Sequence, residues 1–283
     1  MQALFVDNLT VIDFAYFHSD RGIVGESLIM DVELQGELND EGMLFDFSFV
    51  KKRIKSCVDA LVDHKFLVAR QYEGLVINES PQQLTLDLVC SKGLHYQHLS
   101  PHQAVHFVNS DVITANAIAD SIQQSVAAIL PDNVTGLKIN LRPEIIEGPY
   151  YHYSHGLKKH FGDCQRIAHG HRSRICVWQD GIESLDLAKQ VSELWTDIYL
   201  ATEEDIKESV SIDGVDYWRF EYHANQGLFQ LTIAKSKCFL VESDTTVELI
   251  ASFLANYLKR QLPESSIRVK AYEGVDKGAI MSA

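Results

Sequence analysis

The feature that most constrains this chain is an internal repeat: segments recur at an offset of about 133 residues within a length of 283. Lys92-Gly93-Leu94 returns as Gln226-Gly227-Leu228, Ser110-Asp111 as Ser243-Asp244, Thr114 as Thr246, and Leu130-Pro131 as Leu262-Pro263. Order and spacing hold to within about two residues, so the fold must be built twice from one unit. The turn-forming pair Gly148-Pro149 sets the boundary, giving units 1–148 and 149–283. Each is of ordinary domain size, about 100–200 residues.

Within the first unit, Phe5 to Phe17 is rich in β-branched and aromatic residues, and Glu26 to Leu34 alternates with Leu28, Met30, Val32 and Leu34 on one face. These predict a long antiparallel strand pair around a turn containing Gly22 and Gly25. Phe49, Val50, Ile54, Val58, Leu61 and Val62 recur at helical spacing, with Ser48 as a candidate cap. Thr114 to Leu130 is a second helix closed by Pro131, and Leu137 to Leu141 is a short strand. The second unit repeats the order: a strand, a loop, a strand from Ile175, a helix near Leu185 to Tyr199, a hairpin from Tyr217 to Val241, a helix from Thr246 to Leu262, and a strand from Ile267 to Tyr272.

Charge and composition narrow the partners. A formal net charge of -14 lacks the Lys and Arg surplus that a duplex-binding surface needs, which argues against nucleic acid. No apolar run approaches the ~20 residues of a membrane span, and Asp7 soon after Met1 breaks the layout of a signal peptide, so a cytoplasmic protein is expected. Cys57, Cys90, Cys164, Cys176 and Cys238 are odd in number and scattered, unlike a disulfide framework.

The segment richest in chemistry is Tyr153-Ser154-His155-Gly156-Leu157, then Cys164, then His169-Gly170-His171. Histidines two apart on a strand share a face, so His169 and His171 can present two imidazoles to one ion. His155 supplies a third if its strand pairs with theirs. Three nitrogens leave a fourth position open, the arrangement of a catalytic zinc site. Lys158, Lys159, Arg166, Arg172 and Arg174 make this the most basic stretch of the chain, suited to a phosphorylated substrate or to a solvated face. Taken alone, Cys164 reads sooner as a buried structural thiol than as a reactive one.

A histidine after a small residue, a loop cysteine and then His-Gly-His entering a strand resembles the zinc-and-nucleophile region of the 6-pyruvoyl/6-carboxy-tetrahydropterin synthase family. Gly42-Met43-Leu44-Phe45-Asp46-Phe47, followed by Val62-Asp63-His64-Lys65-Phe66-Leu67, resembles that family's G-M-x-x-D-F and L-D-H-x-x-L patterns. Thr246-Val247-Glu248-Leu249 resembles its P-T-x-E helix start, with Thr245 in place of the proline. Val269-Lys270-Ala271-Tyr272-Glu273 resembles the closing strand whose glutamate holds the pterin ring. Neither copy has the whole set. The first has Asp63 and His64 but reads Val24-Gly25-Glu26 where His-Gly-His belongs, and the second reads Asp197-Ile198 where the Asp-His pair belongs.

The resemblance implies an α+β protein of two tandem tunnelling-fold units, with antiparallel sheets and helices packed on one face, assembling into a barrel. It implies Zn2+ held by His155, His169 and His171, with Cys164, Asp63 and His64 catalytic and Glu273 and Thr246 binding the substrate. The implied reaction is that of a lyase acting on 7,8-dihydroneopterin triphosphate with loss of triphosphate, the 6-carboxy product feeding queuosine-type tRNA modification. A homo-oligomer of three double units would supply the family's six. Three alternatives share these residues: a silent zinc- or pterin-binding protein, a dihydroneopterin aldolase-like enzyme, and a cyclohydrolase-type enzyme. The first copy's counterpart of Glu273 falls at Glu144 or Glu147.

Overall fold

Two long strands, Gln2–His18 and Gly22–Gly36, open the chain and pair antiparallel. The turn between them occupies residues 19–21. Gly25, expected in the turn, instead lies within the second strand opposite Ala15. The computed structural model describes every residue except Met1, Asn39, Glu41 and Phe45, so Phe45 of the Gly42–Phe47 motif lies outside the described residues.

The first copy's sheet has the order Val105–Val108, Phe66–Ala69, Gln2–His18, Gly22–Gly36, Val134–Pro143. It is mixed, because Phe66–Ala69 runs parallel to both of its neighbours. Helices α1 (Phe47–Leu61) and α2 (Ala115–Ala127) lie on one face and bury Val50, Ile54, Val58, Ile118, Ile122 and Val126 against Ile12, Phe14, Met30 and Leu34. Each such side chain contributes about 1.5–3 kcal/mol. Asp46 caps α1, accepting from the backbone N–H of Ser48 at 2.7 Å and of Phe49 at 3.2 Å. Ser48, the expected cap, is the second residue of the helix.

The second copy repeats this plan in the order Cys238–Val241, Ile198–Thr202, Tyr150–His155, His169–Gln179, Ile267–Tyr272, Gly278–Ser282. Helices α3 (Leu185–Leu194) and α4 (Val247–Gln261) cover it, with Val191, Trp195, Leu254 and Leu258 fully buried. α3 stops short of Tyr199 because the chain turns at Asp197, whose φ of 52° is left-handed, and Tyr199 enters a strand. No helix among the described residues is long and apolar enough to cross a membrane.

The strands of the copies meet in two places, among other contacts between the described residues. Hairpins from both form one six-stranded sheet, in which Gly227–Ala234 pairs with His95–Ser100 through Leu231 opposite His98. The long strands also cross at two glycines. A Cβ on Gly25 would stand 1.8 Å from the Tyr153 carbonyl oxygen, and one on Gly170 would stand 2.7 Å from Gly25 Cα. Backbones meet there because neither residue has a side chain.

Candidate metal and catalytic site

Alternation along His169–Gln179 sends Ile175 and Val177 into the core under α3 and α4, and it sends His169 and His171 to the same face. On the neighbouring strand His155 sits directly opposite His169. The three rings are at most 1% exposed, with centroids 4.4 Å apart for His155 and His169, 5.4 Å for His155 and His171, and 5.9 Å for His169 and His171. One nitrogen from each lies within 4.8 Å of the others.

The outer nitrogens are engaged. His155 Nδ1 is 2.9 Å from the Thr245 hydroxyl, and His169 Nδ1 donates to the Arg166 carbonyl at 2.9 Å. His171 Nδ1 lies 3.2 Å from Asp13 Oδ1, at ion-pair distance though not aligned as a hydrogen bond. The inner Nε2 atoms of His155 and His171 are buried without a hydrogen-bond partner. Burial, reinforced by the neighbouring imidazoles, holds His155 and His169 well below the ordinary histidine range and therefore neutral. Neutral imidazoles with orphaned, converging nitrogens are what a zinc ion needs, and an unfilled orphan is costly. The donor set fits the metal.

Cys164 sits on a short turn, Asp163–Gln165, tied back by a hydrogen bond from Leu157 N to the Cys164 carbonyl at 2.9 Å. His64 reaches it from the first copy. A left-handed φ of 52° aims this residue away from its own helices, and its N–H donates to the Asp13 carbonyl at 2.6 Å. Asp63 accepts from Asp13 N at 2.8 Å through Oδ1 and holds His64 Nδ1 at 2.7 Å through Oδ2. The His64 ring lies 5.0 Å from His169, and ligand atoms of His64, Cys164 and His169 form a second group within 4.8 Å. Burial alone would lower the His64 pKa, but Asp63 and a hydrogen bond to Cys164 push it up to about 10. His64 is therefore a cation at neutral pH.

Glu273 follows the strand Ile267–Tyr272, with Oε1 3.9 Å from His171 Nε2. The structure thus gathers His155, His169, His171, Cys164, Asp63, His64 and Glu273 in one place within a single chain. The Thr246 hydroxyl caps α4, accepting from Leu249 N at 3.4 Å, and the preceding Thr245 touches His155. The basic stretch is largely neutralised. Lys158 pairs with Glu204 and Asp205, Lys159 with Glu204 and Asp244, Arg166 with Asp163, and Arg174 with Glu144 and Asp276. Arg172 donates to the Glu144 carbonyl at 2.7 Å and lies over the Tyr150 ring.

Asp13, Thr245 and Lys277 are site neighbours to which the sequence reading gave no role there, and Arg166 was expected only as part of the basic stretch. Asp13 carried a usable signal, an acid set between Ile12 and Phe14 in the apolar half of its strand. Arg166 NH1 donates to the Asp63 and His64 carbonyls at 3.3 and 3.4 Å, which explains a buried guanidinium beside a metal site.

The matching place in the first copy has been rebuilt. Ala15 opposite Gly25 corresponds to Ser154 opposite Gly170, so Tyr16, Val24 and Glu26 occupy the positions of the three histidines. Phe66 opposite Ala15 corresponds to Tyr199 opposite Ser154, which places Asp197, not Ile198, at the position of His64. There Asp197 takes Arg21 in a two-pronged ion pair, Nε to Oδ2 at 2.8 Å and NH2 to Oδ1 at 2.5 Å. Leu141 opposite Met30 corresponds to Ala271 opposite Ile175, so Pro143 stands where the second copy has Glu273. Neither Glu144 nor Glu147 takes that place.

Comparison with known proteins shows the family of the chain. The family profile described as 6-pyruvoyl tetrahydropterin synthase matches residues 14–142 and again 144–283. Proteins of Pyrococcus abyssi and Pyrococcus horikoshii, both provisionally named 6-carboxy-5,6,7,8-tetrahydropterin synthase, are 26% and 23% identical over 139 residues, 48% of this chain and 77% of theirs. Solved 6-pyruvoyltetrahydropterin synthases of Plasmodium vivax and Plasmodium falciparum overlay 50% of this chain and 97% of their own, at 16% and 14% identity with TM-scores of 0.37 and 0.34. Those overlays are too loose to add weight. The double match of the profile, one copy after the other, shows that the chain is a tandem member of the 6-pyruvoyl tetrahydropterin synthase family.

Proposed function

We propose that this chain is a zinc-dependent 6-carboxy-tetrahydropterin synthase acting on 7,8-dihydroneopterin triphosphate, with one active site per chain assembled from both copies. The observation that carries the reading is the junction of two incomplete sets: three converging imidazoles beside Cys164 from the second copy, and the Asp63-His64 pair from the first. Zinc bound by His155, His169 and His171 would supply a Lewis acid for the oxygens of the pterin side chain.

The chain's own residues account for the proton transfers. Cys164 as thiolate takes a proton from the side chain, and His64, already charged and oriented by Asp63, gives the partner proton. Arg166 fixes the backbone at Asp63 and His64, so the imidazole keeps its place while its charge changes. Glu273 accepts the paired N–H donors of the pterin's guanidine-like edge, a bidentate contact that sets which end of the substrate meets the histidines. Since most of the nearby cations are already ion-paired, we assign the pterin ring, rather than the triphosphate, as the main determinant of recognition. Thr246 acts by capping α4, and so by placing Thr245 against His155.

We further propose units 1–148 and 149–283, a cytoplasmic location and a homo-oligomer of three chains. The open edges at Val105–Val108 and Val134–Pro143 support the last, since unpaired edge strands seek partners. The deciding experiment is incubation of the zinc-loaded protein with 7,8-dihydroneopterin triphosphate, with products identified by mass spectrometry. The expected result is release of triphosphate and appearance of 6-carboxy-tetrahydropterin. No turnover of any dihydropterin would overturn the enzymatic reading.

A further inference from the structure

Each presumed ligand has a group at its outer nitrogen, and the three are not alike. For His155 and His169 that group belongs to the second copy, the Thr245 hydroxyl and the Arg166 carbonyl. For His171 it is the carboxylate of Asp13, from the first copy. We propose that Asp13 is a positioning residue of the metal site: it holds His171 with Nδ1 protonated and Nε2 directed at zinc, so that the first copy helps to build the metal site and not only the proton-transfer pair. This rests on the zinc reading given above.

Four observations support it. First, alternation along Gln2–His18 buries Ile12 and Phe14 against the first copy's own helices and turns Asp13 to the opposite face, towards the second copy. Second, the carboxylate is 3% exposed, and a buried charge is tolerated only where partners compensate it. Third, those partners aim it. Ser27 donates to Oδ1 at 2.5 Å and Lys277 to Oδ2 at 3.1 Å. Fourth, room has been kept for it. Gly274 has a φ of +71°, and a Cβ there would come within 2.4 Å of Asp13 Oδ1. The segment that presents Glu273 to the site thus also carries Gly274 and Lys277 to Asp13.

A carboxylate on the outer nitrogen of a metal-ligating histidine fixes the tautomer and ring orientation and raises the basicity of the inner nitrogen. Loss of such a partner typically weakens metal binding by about 10- to 100-fold. An ordinary structural role for Asp13 makes a different prediction, because its effect would not pass through His171.

The test is a zinc titration against a chromophoric chelator, using the full chain as wild type, Asp13→Asn, His171→Ala and the double variant, with Co2+ absorption spectra of each. The expected result is an affinity about 10- to 100-fold weaker in Asp13→Asn, an altered cobalt spectrum, and no further loss when Asp13→Asn is added to His171→Ala. Wild-type affinity in Asp13→Asn would overturn the proposal, as would an equal loss in the His171→Ala background. If Asp13→Asn does not fold, Ser27→Ala keeps the carboxylate but removes one of its anchors. It should then weaken zinc binding by a smaller factor that also vanishes without His171, and unchanged affinity would overturn the proposal. If the wild type binds no zinc that His155→Ala removes, the zinc reading itself fails and this inference falls with it. A wild type that binds zinc beside an indifferent Asp13→Asn condemns the inference alone.

Discussion

A ligand atom of His64 in the first copy lies within 4.8 Å of Cys164 in the second, and His64 Nδ1 stands 2.7 Å from Asp63. Half-sites on separate copies thus meet inside one chain, and this separates two properties that coincide when one unit carries everything. Removing His64 should cost catalysis without costing metal. We expect His64→Ala and Cys164→Ala each to lower kcat by about 10²–10⁴-fold, the usual worth of a positioned acid or base. Zinc content, measured by elemental analysis, should stay near one per chain in both and fall in His155→Ala. Full activity in His64→Ala would show that the first copy serves only as scaffold.

The rebuilt twin site should behave as a structural clamp. Arg21 and Asp197 join the copies through two parallel hydrogen bonds, and the Asp197 side chain is only 11% exposed. Replacing Arg21 by Met strands a largely buried carboxylate, so we expect a loss of about 3 kcal/mol in urea unfolding. The kcat of the folded fraction should not change. A selective loss of kcat at unaltered stability would mean that the twin site takes part in turnover.

What could be read in advance, and what could not, divides along a physical line. His169-Gly170-His171 was informative because a strand puts alternate residues on one face, and the register then brings His155 opposite His169. Asp63 and His64 carried a motif of their own. Their meeting with Cys164 was hidden, because it depends on the crossing of two strands at Gly25 and Gly170, and a backbone contact between glycines leaves no mark in hydrophobic periodicity. The shared sheet was hidden likewise, since Leu99 opposite Gln230 is a pairing between copies that neither copy's pattern specifies. Asp13 passed unremarked because an acid in a strand that also carries Asp7 looks like a solvent-facing position until the second copy covers it. The confusion of Ser48 with Asp46 as cap is of a smaller kind, two good capping residues lying two positions apart.

Acid should destabilise the fold through histidines that are not among the presumed zinc ligands. His98 is 1% exposed with an unpartnered Nδ1, and burial lowers its pKa to about 3; His106 is lowered to about 4, mainly by burial and further by Lys65. Both are depressed below the ~6.5 of the unfolded chain, so the unfolded state binds more protons in between. Their stabilising contribution is present above pH 6.5 and is lost as pH falls towards 4, at up to about 1.4 kcal/mol per pH unit for His98. Glu26 acts in the opposite sense, because burial raises it to about 7, and its contribution is lost as pH rises through 7. Unfolding of the metal-free protein at pH 7 and pH 5 should show a shallower acid loss in His98→Phe than in the wild type. Equal slopes would mean that His98 is hydrated in the folded state.

The crossing of the copies offers the most severe test of how the site is assembled. At Gly25 a methyl group would lie 1.8 Å from the Tyr153 carbonyl oxygen and 2.6 Å from His171 N, both backbone atoms of the strands that carry the metal ligands. Flexible side chains can move aside from an added methyl, but two hydrogen-bonded strands cannot without parting. Gly25→Ala should therefore cost at least the 1–3 kcal/mol of ordinary overpacking. It should also push His171 away from Asp13 and His64 away from Cys164, so zinc affinity and activity fall together. Gly93→Ala is the control for solubility and expression, because nothing lies within 4 Å of a Cβ there, although its φ of +78° carries a small strain of its own. If Gly25→Ala kept wild-type zinc affinity and activity, the two copies would have to meet by some contact other than this crossing.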